Sequence, residues 1–317
     1  MEKIRIGVSA CLLGEKVRYD GQHKHDSYIT GTLGQWFEFV PVCPEFELGL
    51  GVPRETMRLE GDPENPRLVT GKTRRDLTEP MLAWCSRRVK ELERENLCGY
   101  IFKSKSPSSG MERVKVYPTG GGMPVNKGRG LFAHAFMQHF PLLPVEEEGR
   151  LNDPALRENF IERLFTLKRW REMLAEDDSR AGLVKFHERH KYLLMSHSIP
   201  HYRELGRIVA DVKGKRLPAV QAIYHAQLME ALRLRATIKK HVNVLEHMAG
   251  YFKRQLGPDE KQELVETIAS YRQAHVPLIV PVTLINHYVR KYQEPYLGQQ
   301  YYLKPHPTEL HLRNQVF

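Results

Sequence analysis

Two cysteines and a run of serines carry the chemical interest of this 317-residue chain. Cys11 follows the apolar run KIRIGVSA (3–10), and Cys43 closes a second run, FEFVPVC (37–43). A third run, CGYIFKS (98–104), leads into KSKSPSSG (103–110), which sets Ser106, Ser108 and Ser109 around Pro107. Thiolates are soft donors that select iron–sulfur clusters, zinc or copper(I). A free cysteine is more often a small buried hydrophobe. Two of them at adjacent strand ends give weight to a thiolate metal site.

The elements that must position these residues alternate. The three runs read as strands. Between the second and third, TEPMLAWCSRRVKELERENL (78–97) predicts a helix with Thr78 as N-cap and Leu82, Cys85, Val89 and Leu92 as its apolar stripe. VKVYP (114–118) reads as an extended edge segment, GLFAHAFMQHF (130–140) as a helix and PLLPVEEEG (141–149) as a last strand. Strands alternating with helices predict an α/β, Rossmann-like parallel sheet. Such sheets place their sites at the carboxyl ends of strands, where Cys11, Cys43 and the serine turn fall. Cys85 belongs to a core stripe. Cys98 begins its strand, roughly 20 Å from the other end at about 3.3 Å per residue, on the wrong rim to join them. The glycine-rich loop YPTGGGMPVNKGRGLF (117–132) lacks the Gly-Lys-Ser/Thr ending of a P-loop and reads as a flexible lid.

Near GRLNDPAL (149–156) the pattern changes. Asp153 and Pro154 form a strong helix start. From there the chain is nearly all helical until an extended tail, YLGQQYYLKPHPTELHLRNQVF. The chain therefore reads as an α/β domain, residues 1–150, and an all-α domain, residues 151–317. The first holds 22 Lys+Arg against 20 Asp+Glu, the second 26 against 18 with 11 of the 15 histidines. A net +8 on the helical half points to an anionic partner. No stretch approaches the roughly 20 apolar residues of a membrane span. MEKIRIGVSA lacks the long apolar region of a signal peptide, so a cytoplasmic protein is expected. Four cysteines without a C-x-x-C pair argue against disulfides and paired-cysteine zinc sites.

S-A-C-L-L-G-x-x-V-R-Y-D-G, V-C-P-E and K-S-x-S-P-S-x-G together resemble the TudS-like thiouracil desulfurase family. The resemblance implies a 4Fe–4S cluster held by three cysteines with one iron open, where thiocarbonyl sulfur is exchanged for oxygen without net redox change. The matching ligand positions are Cys11, Cys43 and Ser109. At Ser109 the sequence departs from the family's S-P-S-C-G turn. Serine is a harder, far less acidic donor, so a cluster held this way is expected to be weaker and more oxygen-labile. Glu45 matches the catalytic glutamate of C-P-E and would act as general base, or else serve a helix N-terminus. Ser106 matches the first serine of S-P-S-C, positioning substrate or relaying a proton, or else capping its turn. Arg18, Tyr19 and Asp20 would bind base or ribose, or form a buried salt bridge. Lys103 and Lys105 are candidates for phosphate contact.

F-H-x-x-H-K-Y-L-L-M-x-H-S, Y-x-x-L-G-x-x-V-A and P-L-I-V-P-V-T-L-I-N-H-Y-V-R resemble the YbgA-like helical domain over residues 151–317. The fusion resembles the RudS type of tRNA 4-thiouridine desulfidase, which implies thiolated tRNA as partner and base extrusion from its stack. His187 and His190, with Phe186 and Tyr192, read either as a basic aromatic face for RNA or as a solvated face. Two functions stay open: a cluster-dependent desulfidase, or a nucleic-acid-binding protein whose Rossmann-like half lost its cluster.

Overall fold

The computed structural model describes residues 3–316. The chain divides into two compact units, Met1–Asp153 and Pro154–Phe317.

The first unit is built on β1 (Ile4–Ser9), β2 (Phe37–Val42), β5 (Tyr100–Phe102) and β8 (Val145–Glu147), in the order β2-β1-β5-β8 with every pairing parallel. β1 is buried at five of its six positions, as expected of an inner strand covered on both faces. It needs a glycine where Tyr100 crosses it: a Cβ on Gly7 would lie 2.2 Å from the Tyr100 ring. The chain leaves β1 on one side for β2, then crosses to the other for β5. This reversal opens a crevice at the carboxyl ends of β1 and β5.

Between these strands lies a second four-stranded sheet in the order β4-β3-β6-β7. β3 (Met57–Asp62) and β4 (Asn65–Thr70) form an antiparallel hairpin. β6 (Val114–Tyr117) runs parallel to β3, and β7 (Val125–Gly128) is antiparallel to β6. The hairpin was not expected from the sequence. Of residues 114–118, expected as an edge segment, Val114–Tyr117 form the inner strand β6. Part of the glycine-rich segment read as a flexible loop is β7. These strands are short and carry charge at alternate positions, so their apolar signal is weak. Helix α1 (Pro44–Glu47) follows β2, α2 (Thr78–Glu93) precedes β5, and α3 (Leu131–His139) precedes β8. α2 buries Met81, Trp84, Cys85, Val89 and Leu92 but leaves Leu82 exposed, and Leu77 rather than Thr78 takes its N-cap position. Trp84 meets Phe132 of α3, which packs with Phe136 against Tyr100 and Phe102. This aromatic core anchors the base of β5, so the loop beyond it starts from a rigid point.

The second unit is helical: α4 (Pro154–Glu176), α5 (Arg180–His197), α6 (Ile199–Ala210), α7 (Leu217–Arg233), α8 (Ile238–Ala249), α9 (Pro258–Arg272), α10 (Ile279–Lys291) and the short α11 (Pro295–Gly298). Ser179 and Ser198 cap α5 and α6 by accepting from Gly182 and His201 amides. The tail, expected as an extended wrap, is not extended: it passes through α11 and a 3-10 turn, Thr308–Leu310, while it packs inward and buries Tyr302, Leu310, Leu312 and Arg313. Arg313 pairs with Glu158 at 2.9 Å and Glu162 at 3.2 Å, and Glu162 also meets His197. Burial alone would raise the Glu162 carboxyl, yet His197 and Arg313 hold it down at about 2. Among the described residues no helix is long and apolar enough to cross a membrane.

Candidate active site

Three chain segments reach the carboxyl rim of the parallel sheet together. After β1 the chain turns through a short 3-10 helix, Ala10–Leu13, which carries Cys11. After β2, Cys43 stands at the N-cap of α1, and Pro44 starts that helix. After β5, residues 103–110 form the serine turn. Cys11, Cys43 and Ser109 line one cavity of about 390 Å³, together with Glu45, Ser106, Arg54 and Lys103. Arg18, Tyr19 and Lys105 line it too, whereas Asp20 is not part of its wall.

Glu45 is the hub. Its Oε1 accepts the Ser108 hydroxyl at 2.6 Å, and its Oε2 lies 3.6 Å from the Cys43 thiol. Ser108 has a single hydroxyl hydrogen, spent on Glu45. In its contacts with Ser106 Oγ at 3.0 Å and Ser109 Oγ at 3.4 Å, Ser108 must therefore accept. The order of donation runs from Ser106 and Ser109 through Ser108 to Glu45. Ser106 also accepts from the Ser108 amide at 3.3 Å and the Ser109 amide at 3.1 Å, the geometry of a turn-capping hydroxyl. The turn closes at Gly110, where a Cβ would lie 2.4 Å from Val114 and 2.8 Å from the Ser106 carbonyl. Sequence reasoning singled out Ser106; the hydroxyl touching the carboxylate is that of Ser108, which is fully buried.

Arg54, also missed, reaches the cavity wall from the loop after α1. Nη1 donates to the Gly51 carbonyl at 3.0 Å, and Nη2 lies 3.9 Å from Glu45. Nε is buried with no partner among the described residues. Lys103 is differently spent: its ammonium is paired with Glu148 and donates to Ser104, so its charge is already balanced. Arg18 makes a partly exposed pair with Asp20 at 3.3 Å and lies over the Tyr19 ring, in place of the buried salt bridge that was the alternative for this turn.

Burial pushes the Cys11 thiol up to about 11. Burial and then the Glu45 carboxylate push Cys43 up to about 12. Without a cation both stay protonated at neutral pH. Cys85 is core, and Cys98 is buried at the amino end of β5, its amide bonded to the Arg5 carbonyl at 2.8 Å. Neither lines the cavity. Among the described residues no group of three or more His, Cys, Asp and Glu stands close enough to hold a metal ion; Ser109 lies outside that set of donor types.

In the helical unit the expected RNA face dissolves. Phe186, His187, His190 and Tyr192 are all buried. His187 Nδ1 pairs with the Tyr224 hydroxyl at 3.0 Å, and His190 Nδ1 donates to the Phe186 carbonyl at 2.7 Å. Burial pushes His187 down to about 4. These are core histidines, neither a basic surface nor a solvated one.

The parallel sheet and its thiol- and hydroxyl-lined rim define a desulfurase-type domain: residues 6–148 match the family model for 2-thiouracil desulfurase. Residues 191–307 match the model described as a protein of unknown function (DUF1722). The Escherichia coli (strain K12) protein described as uncharacterized protein YbgA is 33% identical over 153 residues, 48% of this chain and 90% of that protein. The chain belongs to the YbgA family, with a 2-thiouracil desulfurase domain preceding its YbgA-like part. A solved structure of the 4Fe–4S-dependent thiouracil desulfidase TudS is 30% identical, covering 49% of this chain and 97% of its own, with a TM-score of 0.40.

Proposed function

We propose that this protein is a desulfidase acting on 4-thiouridine in tRNA: water replaces the thiocarbonyl sulfur, C=S becomes C=O, and hydrogen sulfide leaves. Atoms balance with one water consumed, and no electron acceptor is needed. The observation that carries the reading is the convergence of Cys11, Cys43 and Glu45 on one cavity, with the carboxylate held by Ser108. The 2-thiouracil desulfurase match over the same residues supports it.

The residues fit a 4Fe–4S cluster as a set of two sulfur donors and one oxygen donor on a single rim. Cys11, Cys43 and Ser109 would hold it. When bound, the cluster supplies an iron with a free coordination position for substrate sulfur. Glu45 orients the attacking water and takes its proton. Ser108 fixes the carboxylate in place, and Ser106 fixes Ser108. Ser109 donates toward Ser108, so if Ser109 held the cluster, Glu45 would stand at the end of the hydroxyl chain as acceptor for its proton. Arg54 lines the cavity wall with its guanidinium, Nη2 lying 3.9 Å from Glu45, and would face the bound base. The net +8 of residues 151–317 favours a polyanionic partner.

Anaerobic purification tests the reading. Brown protein with bound iron and sulfide should release sulfide from thiolated tRNA and convert its 4-thiouridine to uridine. Colourless protein that binds tRNA and leaves the thiocarbonyl intact would favour the second reading, a cluster-less nucleic-acid-binding protein, for which Ser109 is the motivating residue.

A further inference from the structure

Beside the active-site cavity lies a second groove, of about 440 Å³, which shares Met57, Lys105 and Pro107 with it. Its other walls come from the second sheet and the turn before β6: Arg58, Arg113, Val114, Lys115, Tyr117 and Asn126. Val114 and Val116 of β6 are buried, so Lys115 and Tyr117 fall on the opposite face by the two-residue alternation of a strand. Four cations line the groove and no carboxylate does. Lys105 and Lys115 are exposed and make no ion pair among the described residues. Arg113 meets only the neighbouring Glu112, at 3.7 Å, and its side chain is 79% exposed. The Arg58 guanidinium lies over the Tyr117 ring, 4.8 Å from its centroid, while its charge is balanced by buried Glu60. Lys105 and Arg113 both adopt positive φ, 61° and 54°. Non-glycine residues hold that conformation only where the surroundings impose it, and such positions gather at functional sites.

Unspent cations beside an aromatic ring, opening onto a cavity sized for one base, match what a single polynucleotide strand requires. Phosphates are met by Lys and Arg, and a flanking base stacks on the ring. We infer that this groove holds the phosphodiester strand next to the thiolated base, so that the catalytic domain itself grips RNA. The inference deepens the desulfidase reading, since the base it would position enters the adjacent cavity. It also relocates the aromatic basic surface that the sequence had suggested for residues 185–198.

Binding is measured by fluorescence anisotropy with a labelled single-stranded RNA oligonucleotide containing one 4-thiouridine. Arg113→Glu with Lys115→Glu should weaken binding at least tenfold and reduce the salt slope by about two. A matched reversal on α2, Arg87→Glu with Lys90→Glu, should stay within about twofold. Circular dichroism checks folding, and Arg113→Gln with Lys115→Gln replaces the double reversal if it unfolds. Wild-type affinity in the groove variant, equal loss in both reversals, or no binding by the wild type would overturn the inference. So would full competition by 4-thiouridine 5′-monophosphate, which would show a single-phosphate site. Groove-dependent binding without sulfide release would sink the desulfidase reading alone. Sulfide release with groove-independent binding would sink the groove alone.

Discussion

Ser108 donates its hydroxyl hydrogen to Glu45 at 2.6 Å across 63 positions of sequence. Both side chains lie at the sheet's carboxyl rim, so the bond ties the turn after β5 to the helix after β2. A hydrogen bond to a charged group is worth about 1.5–3 kcal/mol. Glu45→Gln should lower kcat by about 10²–10⁴-fold, the usual span for a lost general base. Ser108→Ala should lower it by about 10–100-fold, and Ser106→Ala by less. Equal activity in Ser108→Ala and wild type, in steady-state sulfide release, would remove Ser108 from the proton path.

Ser109 sets the second prediction. Cys11 and Cys43 are the only thiols lining the cavity among the described residues. Replacing the serine oxygen by sulfur should strengthen iron binding, because a thiolate forms far more readily than an alkoxide at neutral pH. Ser109→Cys should hold more iron per chain than wild type and lose its visible absorption more slowly in air. Iron analysis after timed air exposure checks this; an unchanged or lower iron content in the variant would mean that the third donor lies elsewhere.

Arg54 carries the third. Its side chain is 9% exposed, and its unpaired Nε carries the desolvation penalty of an unmade hydrogen bond, about 1–3 kcal/mol. The guanidinium also lines the cavity, where it would offer a charged donor to a ligand carbonyl. Arg54→Gln should weaken uracil binding about 10-fold or more by calorimetry, with the fold intact by circular dichroism. Unaltered affinity would assign Arg54 to loop architecture alone.

Much of this site was legible because parallel α/β sheets place loops at a fixed rim, and Cys11 and Cys43 sit at the ends of runs whose apolar pattern is unmistakable. Cys98 could be set aside from strand length alone. What stayed hidden depended on side-chain direction. Ser106 and Ser108 are chemically identical in sequence; only the turn's geometry makes one a cap and the other a partner of Glu45. The β3–β4 hairpin was missed because Arg58, Glu60 and Arg67 interrupt its apolar residues, although Glu60 is buried by its pairing with Arg58 and Arg74. His187 and His190 misled for the opposite reason. Polar residues at helical spacing suggest a surface, but aromatic partners and backbone carbonyls satisfied them inside the core.

Those interior histidines make the helical unit acid-labile. Burial pushes His187, His225 and His306 down to about 4 and His241 to about 3, from an ordinary value of 6.5. In the unfolded chain they take up protons as pH falls through 6.5, while in the folded unit they resist until about 4. Their stability contribution is therefore complete above pH 6.5 and is lost as pH falls toward 4, each withdrawing on the order of 1–3 kcal/mol. Glu162, held at about 2, adds loss in the same direction only below its unfolded value near 4.5. Thermal unfolding by circular dichroism should thus show a Tm falling by about 10 °C or more between pH 7.5 and 5, before any carboxylate pair is broken. His241→Gln should flatten part of that slope, because the Tyr302 hydroxyl 3.0 Å away could still bond the amide. A Tm constant across the interval would mean that these imidazoles carry their protons inside the fold.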